Sequence, residues 1–181
     1  MRINEKKVAL FIERFRGQGG IVELVQSWDE ALDLIERKAR TVAGPVAVAT
    51  CDRKRLDGIR KRLDGISRLV GPHASPTDIA GCSLGITFPA AGIAETGSIL
   101  EICYDDSDRL VSTLPSNHIA YLESFNILEG LLEVAPLVRQ ASRQNNFSAT
   151  IISGPSRTAD IELRQVVGVH GPQAVTVLLK V

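Results

Sequence analysis

The sequence predicts an α/β fold with three layers, α/β/α, and a mostly parallel central sheet. Short apolar segments alternate along the chain with longer segments of helical periodicity. Hydrophobic residues make up 44% of the chain but aromatic residues only 4%, so the core is mainly aliphatic, as suits buried parallel strands. The 181 residues suffice for one domain, and we expect a single domain over 1–181, with 1–20 as an N-terminal helical extension.

The elements of the first half follow from this periodicity and from the residues that interrupt it. Val8, Phe11, Ile12 and Phe15 recur at helical spacing before Gly17, which predicts an N-terminal helix. Further helices are predicted from Ser27 or Asp29 to about residue 40 and over 53–63, where the charges are mostly basic. The predicted strands are 21–25, 45–50, 67–70 and 83–87.

The second half continues the alternation, with an antiparallel edge. We expect strand 98–104 to form a hairpin with strand 83–87, because the segment between them is rich in turn formers. Strand 119–122 follows, and then a helix over 129–143 that Pro136 either starts, kinks or divides. Strand 149–153, a short helix from about Thr158 and strand 175–179 complete the prediction.

Composition excludes several classes of function. The net charge is zero, with about +5 on residues 1–70 and −5 on 71–181, and the basic helix lacks interleaved aromatic residues, so we expect no nucleic-acid binding. That asymmetry favours head-to-tail contacts or an acidic partner, and a solvated surface explains it equally well. The sequence shows neither a signal peptide nor a membrane-spanning stretch, so we expect a cytoplasmic protein.

The metal-ligating residue types show no recognisable spacing. Cys51, Cys82 and Cys103 lie far apart and include no CxxC pair, so we expect no disulfide framework and no iron–sulfur ligands in this chain. Its histidines are 45 and 52 residues apart, and we expect no metal site. The cofactor is left unknown.

The segment from Ile151 to Glu162 is the first candidate ligand site. A strand runs into a glycine turn and then, as predicted, into a helix whose free amides would face an anion. The alternative is a capped strand-to-helix turn without a ligand. The candidate ligand-binding residues are Ser153, Gly154, Pro155, Ser156, Arg157, Thr158 and Asp160.

A second candidate bend lies at 92–99. Glu95 stands among small residues, where a turn would present its carboxylate either as a general base or simply to water. Thr96, Gly97 and Ser98 follow it as candidate ligand-binding positions. We expect the two bends to meet at one rim of the sheet.

Two histidines adjoin turn residues. His170 is a candidate catalytic residue beside Gly171, a candidate ligand-binding position, and His118 lies in a Pro-Ser-Asn-His segment. The alternative for each is a surface or packing histidine.

Three segments in this order, 92–99, 109–119 and 152–162 with 168–172, resemble the LUD domain of the lactate utilisation protein C family. The resemblance implies a fold similar to ribose-phosphate isomerases, CoA transferases and formyltetrahydrofolate cyclo-ligase, with a cleft at the carboxyl ends of the strands. It also implies a role in oxidising L-lactate to pyruvate, together with separate iron–sulfur proteins that carry the electrons.

The sequence leaves three functions open. The first is a ligand-binding or accessory subunit of that lactate-oxidising system, which would bind a small-molecule anion. The second is a stand-alone enzyme acting on a phosphorylated, folate or CoA-like small molecule, and the third is a scaffolding or regulatory module. Whether the chain is itself a catalyst stays open, because a fold does not assign chemistry.

Overall fold

A six-stranded parallel sheet forms the centre of the molecule. The structure, a computed structural model, describes residues 2–159, 165–167 and 171–181. Within these residues the strands are β1 (Ile21–Val25), β2 (Val46–Val48), β3 (Leu69–Val70), β4 (Leu84–Thr87), β5 (Ala91–Ile93), β6 (Ser98–Cys103), β7 (Asn117–Glu123), β8 (Ile127–Leu128), β9 (Ser148–Ile152), β10 (Arg157–Ala159), β11 (Gln165–Val167) and β12 (Ala174–Lys180). The α-helices are α1 (Arg2–Gly17), α2 (Trp28–Val42), α3 (Arg53–Leu63), α4 (Pro76–Ala80) and α5 (Val134–Ala141).

The central sheet has the strand order β1-β12-β7-β4-β2-β3, and every neighbouring pair is parallel. Ile86 of β4 lies opposite Ile119 of β7, and Val22 of β1 lies opposite Val177 of β12. Parallel neighbours need long crossovers, which is why helices lie on the faces of the sheet. The predicted α/β class with a mostly parallel sheet is confirmed.

Helices α2 and α3 cover one face of the sheet. Ser27 caps α2 by accepting a hydrogen bond from the Glu30 amide, and Asp52 caps α3. The apolar side of α2 buries Ile35 completely and α3 buries Ile59 completely. Side chains alternate between the two faces of a sheet, and both helices pack against those that point to this face. The sheet residues in this cluster are Val46, Val48, Leu84, Ile86, Ile119, Tyr121 and Leu178.

The opposite face is covered by α1 and by a second, four-stranded sheet of order β8-β5-β6-β9. Phe11 and Phe15 of α1 are fully buried, with ring centroids 5.6 Å apart. They share a cluster with Ile99 of β6 and Val177 of β12. The N-terminal helix therefore contributes directly to the core.

The predicted hairpin between 83–87 and 98–104 is wrong. Strand β6 instead pairs antiparallel with β5 and with β9, outside the central sheet. The turn-rich segment contains β5 itself, and a tight turn with Gly97 at φ +60° returns the chain into β6.

Two helix predictions also need correction. The helix predicted over 129–143 begins at Val134, after a 3₁₀ turn at Leu131–Glu133. This start places Pro136 in the first turn of the helix, where proline is tolerated. The short helix predicted from Thr158 is wrong: β10 pairs antiparallel with β11. Among the described residues, none of the helices combines the length and apolar character needed to cross a bilayer.

Candidate functional site

A cavity of about 310 Å³ opens at the carboxyl ends of three neighbouring parallel strands. Residues 49–51 follow β2, His73 follows β3, and Thr87 ends β4. The carboxyl half of β6 and the loop after it form the other wall. Open α/β sheets commonly bind ligands at this edge, so the position of the cavity is where a site is expected.

Charged and polar side chains converge in this cavity from separate parts of the chain. Three carboxylates, those of Glu101, Asp105 and Asp108, line it together with the imidazole of His73. The remaining lining residues are Ala49, Thr50, Cys51, Thr87, Phe88, Ile102, Cys103 and Tyr104. The lining residues that the structure describes include no lysine or arginine, so the cavity is acidic.

Thr87, Glu101 and His118 form a buried polar triplet, and the first two of these residues line the cavity. The side chain of Thr87 donates a hydrogen bond to Glu101 Oε1, and its oxygen lies 2.7 Å from His118 Nε2. Because the threonine has one hydroxyl proton and gives it to Glu101, the contact with His118 requires a hydrogen on Nε2. Glu101 is 4% exposed and His118 1% exposed, so water does not screen this arrangement.

The neighbours of Glu101 stabilise the ionised form of its carboxyl group. Burial would raise the pKa of this carboxyl, but its interactions with His118, Ser112 and Thr87 together lower the pKa below the ordinary value. His118 Nε2 lies 3.4 Å from Glu101 Oε1. Glu101 is therefore a buried carboxylate that stays ionised at neutral pH.

The rim of the cavity holds three more titratable groups. His73 Nδ1 lies 3.0 Å from Asp105 Oδ2. Hydrogen bonds from Ser107 and from His73 lower the pKa of Asp105 to about 2. The hydrogen bond with Asp105 and the charges of Asp105 and Asp108 raise the pKa of His73.

Asp108 completes the rim and is 8% exposed. Its burial, and then the charge of Asp105, raise the pKa of its carboxyl. Its Oδ1 has no hydrogen-bond partner among the described residues, and the same holds for Glu101 Oε2. Both carboxylates thus line the cavity, and each has one buried oxygen without a partner at hydrogen-bond distance among the described residues.

The two glycine bends come together beside the end of α1. Ser98 Oγ lies 2.7 Å from Ser153 Oγ. Gln18, just after α1, donates to the Thr96 carbonyl, and its own carbonyl accepts from Arg157 at 2.7 Å. None of the described bend residues lines the cavity.

Main-chain groups already use the amides of these bends. The Gly97 amide donates to the Ile93 carbonyl at 2.9 Å, and the Ser156 amide donates to the Pro172 carbonyl at 2.9 Å. The positive φ of Gly154, +79°, lets the chain pass Gln18, because a Cβ at Gly154 would lie 2.7 Å from the Gln18 carbonyl oxygen. Close packing therefore explains why glycine occupies these positions.

Glu95 is exposed and serves as a helix cap in the structure. Its Oε2 accepts a hydrogen bond of 2.8 Å from the Leu131 amide, at the start of the 3₁₀ turn before α5. Pro155 lies in the second bend, a Cβ at Gly171 would lie 2.9 Å from the Ser156 Cβ, and Thr158 belongs to β10 rather than to a helix. Asp160 and His170 lie outside the described residues.

Sequence reasoning missed Glu101, Thr87 and the His73–Asp105–Asp108 rim, and it favoured a surface or packing role for His118. One signal was available: Glu101 is a charged residue in the middle of the apolar strand Ser98–Cys103, and a buried charge needs partners. Its partners come from strands 14 and 17 residues away, so spacing alone did not reveal them.

Comparison with known proteins identifies the family. The family model described as the LUD domain matches residues 77–179, more than half of the chain. The chain belongs to the LUD domain family. The matched range includes Thr87, Glu101 and His118, as well as Asp105 and Asp108, whereas His73 lies four residues before it.

Several relatives are named lactate utilization protein C. The protein from Exiguobacterium sp. is 33% identical over 111 residues, which cover 60% of this chain and 48% of that protein. The Bacillus licheniformis protein is 30% identical over 152 residues, covering 77% and 63%, and the Bacillus subtilis protein is 36% identical over 94 residues, covering 50% and 39%. The chain spans roughly two fifths to two thirds of the length of these relatives.

A solved structure shares the fold. The crystal structure of a DUF162 family protein from Deinococcus radiodurans superposes with a TM-score of 0.68 at 19% sequence identity, covering 98% of each chain. At this identity the likeness concerns the fold alone, because one fold can host many functions.

Proposed function

We propose that this chain is a ligand-binding component of a bacterial system that oxidises L-lactate to pyruvate, and that the ligand occupies the cavity at the carboxyl ends of β2, β3 and β4. The names of the relatives support the system. The volume of about 310 Å³ supports a small ligand, because it lies at the lower end of the range of about 300–1,000 Å³ for ligand pockets.

The observation that carries the proposal is the position of Glu101, a cavity-lining carboxylate whose Oε2 has no partner at hydrogen-bond distance among the described residues. A 2-hydroxy acid has a hydroxyl group that can donate a hydrogen bond to this oxygen. His118 and Thr87 hold the other carboxylate oxygen, so the acceptor is fixed in place before the ligand arrives. Glu101 is thus proposed to orient the ligand hydroxyl.

The electrons of the oxidation are proposed to pass to iron–sulfur proteins that act beside this chain. The sequence has three cysteines, and the common iron–sulfur clusters use four cysteine thiolates. Cys51, Cys82 and Cys103 are free thiols at positions of different exposure. The unequal charge of the two halves of the chain supports docking to partners of complementary charge.

Growth on L-lactate tests the proposal. A strain without this gene is complemented with the natural sequence, with Glu101→Gln and with Glu13→Gln, which changes an exposed glutamate on α1. We expect the natural sequence and Glu13→Gln to restore growth and Glu101→Gln to restore little, at equal protein levels. Growth of the uncomplemented strain at the natural rate would contradict the role in lactate utilisation.

A further inference from the structure

The geometry points to a divalent-cation site at the rim of the cavity, with His73, Asp105 and Asp108 as its protein ligands. One potential ligand atom from each of these residues lies within 4.8 Å of the other two. Imidazole nitrogen together with carboxylate oxygen suits first-row divalent ions such as Mn²⁺ and Zn²⁺. The side chains come from the loop after β3 and from the segment after β6, so only the folded chain assembles them.

A buried oxygen of Asp108 gives this cluster an independent reason to hold a cation, and Glu101 adds a further carboxylate to the same cavity. Asp108 is 8% exposed and Glu101 is 4% exposed, and both line the cavity. Asp108 Oδ1 and Glu101 Oε2 have no hydrogen-bond partner among the described residues. Leaving a charged oxygen buried without a partner is costly, and a cation bound by this cluster would compensate that cost at Asp108.

The local geometry already resembles that of a metal-binding pair. His73 Nδ1 and Asp105 Oδ2 lie 3.0 Å apart. Two ligands at right angles around an ion, each at about 2.1 Å from it, are also about 3.0 Å apart. The amide and hydroxyl of Ser107 both donate to Asp105 Oδ1, which fixes the carboxylate and leaves Oδ2 facing His73.

A cation would also change which ligands the cavity accepts. Three carboxylates line it without a lysine or arginine among the described residues, so the cavity alone repels an anion. A bound divalent ion supplies the positive charge that a carboxylate ligand needs, and a 2-hydroxy acid can chelate it through one carboxylate oxygen and the hydroxyl. This ligand step rests on the proposed function, whereas cation binding does not.

Titration with Mn²⁺ alone tests the site. The electron paramagnetic resonance signal of free aqueous Mn²⁺ measures binding to the natural protein, to Asp105→Asn, to His73→Gly and to Asp106→Asn. Glycine suits position 73, because His73 has φ +61°. Asp106 is a matched control, since it is 81% exposed, adjoins Asp105 and pairs with Arg109.

We expect one Mn²⁺ per chain for the natural protein and for Asp106→Asn, displaced by one equivalent of Zn²⁺. Asp105→Asn and His73→Gly should weaken binding by about tenfold or more, because even partners that only orient ligands are worth that much. Cooperative thermal unfolding of these variants in the presence of a chelator shows that they fold. Absence of stoichiometric binding, or equal weakening in Asp106→Asn, overturns the site.

Calorimetry with L-lactate separates the cation site from its ligand. We expect heat of binding when Mn²⁺ is present and none in a chelator. Stoichiometric Mn²⁺ binding without any lactate binding would keep the cation site and contradict the proposed ligand. Lactate binding of equal strength in the chelator would contradict the role of the cation in receiving it.

Discussion

His118 Nε2 lies 3.4 Å from Glu101 Oε1, and both side chains are nearly inaccessible to water. Thr87 bridges them, since its hydroxyl contacts both groups. The three residues come from β7, β6 and β4, so this contact ties the central sheet to the four-stranded sheet directly beneath the cavity.

The first prediction concerns the pH dependence of stability. The pKa of Glu101 is lower in the folded protein than its ordinary value of 4.5, so the unfolded chain binds the proton more tightly. The resulting stabilisation is present above about pH 4.5 and is lost as the pH falls through the folded-state pKa. Urea unfolding between about pH 3 and about pH 7 should show a steeper loss of stability for the natural protein than for Glu101→Gln.

The comparison with Glu101→Gln is needed because Asp105, whose pKa is lowered to about 2, adds to the same trend in both proteins. Parallel pH profiles for the two proteins would contradict a lowered pKa of Glu101 in the folded protein.

The second prediction concerns the bridging hydroxyl. Thr87→Val keeps the shape of the side chain but leaves a glutamate oxygen and an imidazole N–H buried without this partner. We expect the free energy of unfolding to fall by about 1–3 kcal/mol. Thr41→Val is the control: its hydroxyl bonds the Arg37 carbonyl on the exposed surface of α2, and its loss should cost less than about 0.5 kcal/mol. Equal costs at both positions would argue against a buried network.

The third prediction concerns two cysteines that line the cavity. Burial and then the charge of Glu101 raise the pKa of the Cys103 thiol to about 12, whereas Cys51 is exposed. At about pH 8 only about one Cys103 in ten thousand is a thiolate, and the thiolate is the reactive form. Mass spectrometry after brief iodoacetamide treatment should find Cys51 modified well before Cys103. Modification of both at one rate would show that the cavity wall opens readily.

The fourth prediction separates backbone strain from packing at the bend. Gly97 and Gly65 both have positive φ, +60° and +69°, but a Cβ at Gly97 would lie 2.5 Å from the Arg14 carbonyl carbon, whereas none of the described atoms lies within 4 Å at Gly65. Gly65→Ala should cost about 1–2 kcal/mol from the left-handed conformation alone. Gly97→Ala should cost clearly more, as measured by denaturant unfolding, and a similar cost for both would contradict close packing of the bend on α1.

Local patterns in the sequence predicted most of the fold. Phe11 and Phe15 recur at helical spacing, and β1 and β12 are short apolar runs. Both patterns can be read from residues close together in the sequence, because burial of one face of a helix or strand produces them. The strand pairing of Ser98–Cys103 and the extended form of Arg157–Ala159 depend on partners elsewhere in the chain, and these were predicted wrongly.

The candidate site was harder to predict for the same reason. The glycine bends stood out as motifs, yet close packing explains their glycines, Gly97 against Arg14 and Gly154 against Gln18. Glu101 and Asp108 belong to no short motif, and their significance appears when strands from distant parts of the sequence bring them to one cavity.

The most direct test of the cavity as the ligand site is amide chemical-shift mapping of ¹⁵N-labelled protein with L-lactate, in the presence of Zn²⁺. We expect the largest shifts at Thr87, Glu101 and Cys103, around the cavity. Shifts that instead concentrate at Gly97 and Gly154, with the cavity amides unmoved, would contradict ligand binding in this cavity.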